Sequence, residues 1–369
     1  MAKTHKILFI INELIPGGAS QLVADIAGQL SKRPDYSVGI LTFRPSHDSA
    51  IYRLIREIPS IKLFDLSGRS WLNPALWLSV RKIIKEYDLV HANLFPGGYL
   101  AAVSSAFTGK PVVYTEHSTH NRRRNKRWLR PLEQWVYSRF RSIIAISPST
   151  SQELCAWLRR RKLRDKTTVI YNGVNLRRFH WNDNPSDCET LYGRTGKPIL
   201  MVSRFTESKD HASLIKAIPY LHDKDAYVAF AGDGATMEAM KELSRSCKVT
   251  DRVLFLGARS DIPALMQSAV VGVQASNWEG FGLTAIEMMA SGLPVVASDV
   301  PGLRDVVDGA GMLFEKGNEK ALAKCLNLII GHCDIHEDLR KKGEERALQY
   351  DIETTIAAHD ALYKKYLNV

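Results

Sequence analysis

Short runs of Ile, Val, Leu and Phe recur along the chain, with helix-patterned stretches between several of them. This alternation restricts the fold more than any other feature. In the first half the runs fall at Lys6–Asn12, Ser37–Phe43, Lys62–Leu66, Leu89–Asn93, Pro111–His117, Ser142–Ser147 and Thr167–Tyr171. Most are nearly continuous in apolar residues, as parallel strands covered on both faces must be. Gln21–Leu30 and Leu76–Lys85 are amphipathic stretches between them. Strand, crossover helix and parallel strand build a doubly wound α/β sheet. The pattern lapses around Phe179–Lys197, where Asn182, Asp183, Asn184, Pro185, Ser186 and Asp187 read as a linker. It resumes at Ile199–Ser203, Tyr227–Ala231, Val253–Leu256, Val270–Ala275 and Pro294–Ser298, which predicts a second α/β sheet. The tail Ile352–Leu367 has helical spacing. A length of 369 residues fits two such domains.

Charge supports the division. Up to His180, 29 Lys and Arg face 12 Asp and Glu, a net +17; from Trp181 onward 21 face 27, a net −6. The two halves are suited to different partners. No apolar run approaches the roughly 18 residues that cross a bilayer. Ile7–Ile11, after Lys3 and Lys6, is too short for the core of a signal peptide. Cysteines at 155, 188, 247, 325 and 333 form no CxxC and no Cys/His ligand spacing. A disulfide framework and a structural zinc site are not expected, and a reducing cytoplasm is.

Several glycine turns and charged residues fall where such sheets hold ligands, after the carboxyl ends of strands. Pro16-Gly17-Gly18 stands between a strand and a helix. Glycines there admit close backbone approach and the helix start offers N–H groups to an anion, although a plain turn reads the same. It is not GxGxxG, and no acidic residue ends the second strand, which argues against a dinucleotide. The most specific segment is Trp278-Glu279-Gly280-Phe281-Gly282-Leu283-Thr284-Ala285-Ile286-Glu287. Carboxylates that bond sugar hydroxyls beside amides that hold a phosphate suit it; the alternative is a capped helix with solvated glutamates. Arg204 and Lys209 follow the strand Ile199–Ser203 and suit a diphosphate, or else a solvated loop. His117, after Thr115-Glu116, either caps its strand or donates to a sugar and moves protons. Gly232-Asp233-Gly234 is a third glycine turn, and His91, His211, His332 and His336 read as structural. Asp223-Lys224-Asp225 has the form of a metal-binding DxD but precedes its strand, so no divalent metal is expected.

The segment from Glu279 to Glu287, followed by Ala290-Ser291-Gly292-Leu293-Pro294-Val295-Val296-Ala297-Ser298, resembles the E-x7-E core of the retaining, GT-B-fold glycosyltransferases of family 4. Pro16-Gly17-Gly18, Thr115-Glu116-His117, Asn172-Gly173-Val174, Val202-Ser203-Arg204 with Lys209, Gly232-Asp233-Gly234 and Phe255-Leu256-Gly257 stand in that family's order. The resemblance implies two Rossmann-like domains facing across a cleft: an acceptor domain over 1–178 with a crossover helix over 352–369, and a donor domain over 190–351. It implies transfer of a hexose or N-acetylhexosamine from a UDP-sugar, with retention, to a lipid-linked or cell-envelope saccharide such as lipopolysaccharide. Arg204 and Lys209 would hold the donor diphosphate and Glu287 the ribose. Glu279 and the amides around Phe281 and Gly282 would hold the sugar, with Gly280, Leu283 and Gly232 beside them. Gly17 and Gly18 would approach the phosphates, and His117 would join Glu279 at the reaction centre. No cofactor or metal is implied. Two departures from the family's pattern, Asp210 after the lysine and Pro301-Gly302-Leu303-Arg304-Asp305, leave the donor's identity open. Another GT-B activity, an epimerase or phosphorylase, and a non-catalytic nucleotide-sugar-binding subunit remain as alternatives.

Arg122 to Arg141 carries eight Lys and Arg and a single acid, Glu133, with Trp128, Leu132, Trp135, Val136 and Phe140 at helical spacing. Arg159 to Lys166 adds six cations and one acid. Arg122, Arg123, Arg124, Lys126, Arg127 and Trp128 suit the anionic cytoplasmic face of an inner membrane. The alternative is an ordinary helix whose apolar stripe faces the core. No nucleic-acid module accompanies the charge, so nucleic acid is not expected as a partner.

Overall fold

Successive residues of the first strand go to opposite cores. Ile7, Phe9 and Ile11 pack into one apolar cluster, Leu8 and Ile10 into another, and all are fully buried. That two-sided burial explains why the apolar runs are continuous instead of alternating. The structure is a computed structural model that describes residues 4–68, 70–119, 121–182 and 186–367, and of Arg122 the backbone alone. Asp183, Asn184 and Pro185 of the expected linker lie outside the described residues.

The chain divides into two compact units: residues up to Gly173 together with those from Ile352 onward, and Val174–Asp351. In the first, strands β1 (His5–Ile10), β2 (Tyr36–Thr42), β3 (Ile61–Asp65), β4 (Leu89–Asn93), β5 (Val112–Glu116), β6 (Ser142–Ala145) and β7 (Thr167–Val169) form a sheet in the order β3-β2-β1-β4-β5-β6-β7. All its neighbouring strands are parallel. Helix Ile352–Leu367 covers one face, with Ile352, Ile356 and Tyr363 in the same apolar cluster as Ile7 and Phe9. Its hold is also polar: Tyr36 donates to Asp360 at 2.5 Å and Thr355 to the Tyr171 carbonyl at 2.9 Å. Gly173 permits this docking, because a Cβ there would lie 2.5 Å from Ile352 Cα.

The second unit holds β8 (Lys197–Val202), β9 (Ala226–Ala231), β10 (Val253–Gly257), β11 (Val271–Gln274), β12 (Val295–Ser298) and β13 (Met312–Phe314) in the order β10-β9-β8-β11-β12-β13, again all parallel. The sequence reading misses β13, whose three residues between Gly311 and Glu315 are too few to show a period. It also names neither helix Glu319–Gly331 nor helix Cys333–Leu348.

Both sheets reverse their winding once, between β1 and β4 and between β8 and β11. A crevice opens outside the carboxyl ends of the strands at such a reversal, because the loops there leave to opposite sides.

Candidate active site

In the second unit the reversal brings two distant loops together. The Lys209 and Ser276 backbones pair as an antiparallel bridge, Asp210 N–H donates to the Ala275 carbonyl at 3.1 Å, and Asn277 N–H to that of Ser208 at 2.8 Å. This backbone zipper carries the Lys209 ammonium onto the Glu279 carboxylate and within 3.4 Å of Ser276 Oγ. Glu279 also turns back to accept from the N–H of Gly280 at 3.1 Å. Gly282 follows as the left-handed N-cap of helix Leu283–Ala290, so the helix starts at Leu283 and presents its first amides here. Glu287 stands one turn further, half-buried. The Phe281 ring is buried against Tyr350, 5.4 Å between centroids, which leaves its backbone as the part that can face a ligand.

Two glycines here are steric necessities. Gly302 has φ +87°, and a Cβ would lie 2.6 Å from the Glu279 carbonyl oxygen, so the N-cap of helix Leu303–Val307 presses directly on the Glu279 turn. Gly232 has φ +148°, and a Cβ would sit 2.0 Å from the Ser203 carbonyl oxygen. Phe205 N–H donates to the Asp233 carbonyl at 2.9 Å and fastens the Gly232-Asp233-Gly234 turn beneath Arg204, whose side chain is exposed. Asp210, the departure after the lysine, caps helix His211–Ala217 by accepting from Ser213 N–H at 3.1 Å and Ser213 Oγ at 2.6 Å. Arg304 pairs with Asp299 at 2.5 Å near the surface.

In the first unit Asn12, just past β1, donates to the Phe95 carbonyl at 2.7 Å and accepts from Gly97 N–H at 3.0 Å, tying the two loops at that reversal. Gly17 and Gly18 are exposed, and a Cβ on Gly17 would meet nothing nearer than 4.0 Å. A second Pro-Gly-Gly, at 96–98, is filled by packing instead: Gly98 lies against the Tyr114 ring, 2.5 Å from where a Cβ would be. His117 stands just past β5 and bonds Asn93 Oδ1 through Nε2 at 3.0 Å. Asn93 donates its amide to the His91 carbonyl, so its oxygen faces His117. Nε2 therefore carries the proton, which leaves Nδ1 as the acceptor nitrogen of the ring. Burial pushes its pKa down to about 3, so the ring is neutral. His91 bonds Tyr363 and Thr115, both at 2.6 Å, in keeping with a structural role. Asn12, Asn93 and Ser276 escape the sequence reading. Their shared signal is a polar residue at the carboxyl end of an apolar run.

The basic segment divides. Arg123 pairs with the fully buried Glu133 at 3.1 Å and stacks over Phe95, 3.9 Å from the ring centre; Arg124 pairs with the buried Glu116 at 3.1 Å. Tyr99 and Tyr137 donate to the same two carboxylates. The expected surface patch thus loses Arg123 and Arg124, which neutralise buried acids, while the Arg122 side chain lies outside the described residues. Lys126 and Arg127 are exposed, and Trp128, Leu132 and Trp135 are 75%, 48% and 44% exposed. Val136 and Phe140 are the residues that face the core. Among the described residues, no helix is long and apolar enough to cross a membrane. Nor does any group of three His, Cys, Asp or Glu side chains among them form a metal-holding cluster.

Comparison with known proteins covers both units. Residues 16–178 match the family Glycosyltransferase Family 4, and residues 192–346 match Glycosyl transferases group 1. The "Putative glycosyltransferase EpsD" of Bacillus subtilis is 28% identical over 319 residues, 80% of this chain and 82% of its own. An Escherichia coli UDP-Gal:alpha-D-GlcNAc-diphosphoundecaprenol alpha-1,3-galactosyltransferase is 27% identical over 61% of this chain and 62% of its own. Anabaena Alr3699/HepE, crystallised with UDP and glucose, superposes with a TM-score of 0.87 at 24% identity, over 98% of this chain and 100% of its own. At that identity the superposition shows the fold, which is GT-B.

Proposed function

The chain belongs to family 4 of the glycosyltransferases, and from that membership we propose that it moves a hexose or N-acetylhexosamine from a UDP-sugar, with retention, onto a lipid-linked or envelope saccharide. The observation that carries this reading is the zipper of 208–210 against 275–277. It sets an ammonium against a carboxylate three residues before the N-cap of a helix, and ammonium, carboxylate and helix amides are the groups that a sugar diphosphate needs. Arg204 and Lys209 bind the diphosphate, Glu287 the ribose, and Glu279 with the amides of Gly280, Phe281 and Gly282 the sugar. The acceptor hydroxyl attacks the anomeric carbon as the bond to the diphosphate breaks, and the departing UDP takes the acceptor's proton. Stabilising that leaving group is the main task of the protein. His117, neutral and accepting through Nδ1, positions a sugar hydroxyl. The UDP and glucose in Alr3699/HepE support the donor class, and the diphosphoundecaprenol acceptor of the E. coli relative supports the acceptor class. Arg204, Lys209 and the helix amides stand in for a metal.

The chain also docks peripherally on an anionic membrane through Lys126, Arg127 and Trp128, supported by the outward stripe of Trp128, Leu132 and Trp135.

The test measures UDP release with and without acceptor, in EDTA, for wild type and the double variant Arg204→Ala/Lys209→Ala. Acceptor-dependent release that survives EDTA and falls at least a hundredfold in the variant is expected. A fully active variant overturns the site. Release without acceptor favours an epimerase, and loss in EDTA with rescue by manganese overturns the metal-free reading.

A further inference from the structure

Beside the outward tryptophans lies a groove of about 370 Å³ lined by Arg127, Arg130, Pro131, Gln134, Arg159 and Arg160. Four arginines line it and no carboxylate does. The contrast with the neighbouring arginines is sharp. Arg123 and Arg124 each have a buried acid as partner, whereas among the described residues no ion pair involves Arg127, Arg130, Arg159 or Arg160. Convergent cations without a counter-charge repel one another, and a bound anion removes that repulsion. Arg130 is held in place by stacking on Trp157, 4.3 Å from the ring centre, and its Nε–H is buried with no partner. Gln134, 8% exposed at the floor, gives its amide to the Trp157 carbonyl at 3.3 Å and has no partner for Oε1. The groove therefore offers forked donors for a phosphate, and its wall holds one buried acceptor that no protein group uses.

The geometry points to a headgroup site: we infer that this groove binds the phosphate of an anionic glycerophospholipid, with the headgroup hydroxyl toward Gln134. Lipid is favoured over a free phosphate compound because Trp128, Leu132 and Trp135 put an apolar stripe at the same place, and only a lipid brings acyl chains along with its phosphate. The inference rests on the docking proposed above and deepens it: a diffuse patch counts charges, whereas a site fills once.

The decisive probe is dihexanoyl phosphatidylglycerol below its micelle concentration, titrated at fixed salt, alongside sedimentation with phosphatidylcholine vesicles with and without phosphatidylglycerol. The variants are Arg159→Ser/Arg160→Ser, in the groove, and Lys162→Ser/Arg164→Ser, an equal charge loss from the same run outside it. All four residues are exposed, so unchanged thermal melts are expected. Saturable binding of a single lipid per chain is expected, weakened at least tenfold by the groove variant and less than threefold by the control. Equal weakening by both variants overturns the site while docking stands. So does anionic-vesicle binding by wild type with no saturable binding of the soluble lipid. Binding of glycerol phosphate as tight as that of the lipid assigns the groove to a soluble anion. Arginine-dependent binding of a single-stranded oligonucleotide assigns it to nucleic acid, and failure of wild type to bind anionic vesicles removes the docking reading as well.

Discussion

The two units use opposed charges in different ways. In the first, Arg123 and Glu133 pair with side chains 16% and 0% exposed, and Arg124 and Glu116 at 10% and 5%. In the second, Lys209 and Glu279 pair at 17% and 21%, so that this acid, unlike Glu133 and Glu116, keeps contact with solvent. A charge stranded in the interior has no water to replace its lost partner, whereas one at a loop edge does. The difference separates charge sealed in the interior from charge at a loop edge.

Removing one partner from each pair is the strongest way to break this contrast. Glu133→Ala strands Arg123, and Glu116→Ala strands Arg124; each should cost the first unit about 3–5 kcal/mol. Lys209→Ala should cost the second no more than about 1 kcal/mol. Urea denaturation followed by hydrogen exchange reads the units separately, and equal small losses would erase the distinction.

Acid should widen the same gap. Burial lowers the pKa of His91, of His117 to about 3 and of His359 to about 4 in the first unit, against His211, to about 4, in the second. Each folded pKa lies below the unfolded value near 6.5, so the unfolded chain takes up more protons. The stabilisation is complete above about pH 6.5 and is lost as the pH falls toward 4. Each fully buried histidine gives up about 1.4 kcal/mol per pH unit in that window. At pH 5.5 the first unit should lose about twice as much stability as the second, since His91 and His359, with His117 adding to them, act in the first and His211 alone in the second. Unit-resolved melts at pH 7.5 and 5.5 would show the first unit dropping further; parallel shifts would refute this.

Glycine substitutions probe the sites themselves. Gly232→Ala drives a methyl into the Ser203 carbonyl and should destabilise the second unit by about 2 kcal/mol or more. Gly17→Ala meets open space, so the fold should hold within about 0.5 kcal/mol while UDP-sugar binding weakens if the donor phosphates approach there. Thermal shifts with and without UDP-sugar separate the two effects. Trp128→Ser should leave stability within about 0.5 kcal/mol, since the ring is 75% exposed, and a larger loss would return it to the core.

Much of this protein is legible in its sequence. Continuous apolar runs signal both sheets because burial on two faces leaves few polar positions in a strand, and Glu279, Glu287, Arg204 and Lys209 stand out as candidates by spacing and by place after a strand. A window of a few residues holds all of that information. Where it fails, the window is too short, as at β13, or the partner is too far away. Nothing near Arg123 and Arg124 distinguishes them from Arg127, since Glu116 belongs to a strand and Glu133 to a helix that only packing brings to them. The outward turn of Trp128, the proton that Asn93 fixes on Nε2 of His117 and the contact of Lys209 with Glu279 were likewise settled by tertiary structure. Periodicity and turn chemistry act between neighbours in the chain, whereas charge neutralisation and tautomer choice act between neighbours in space.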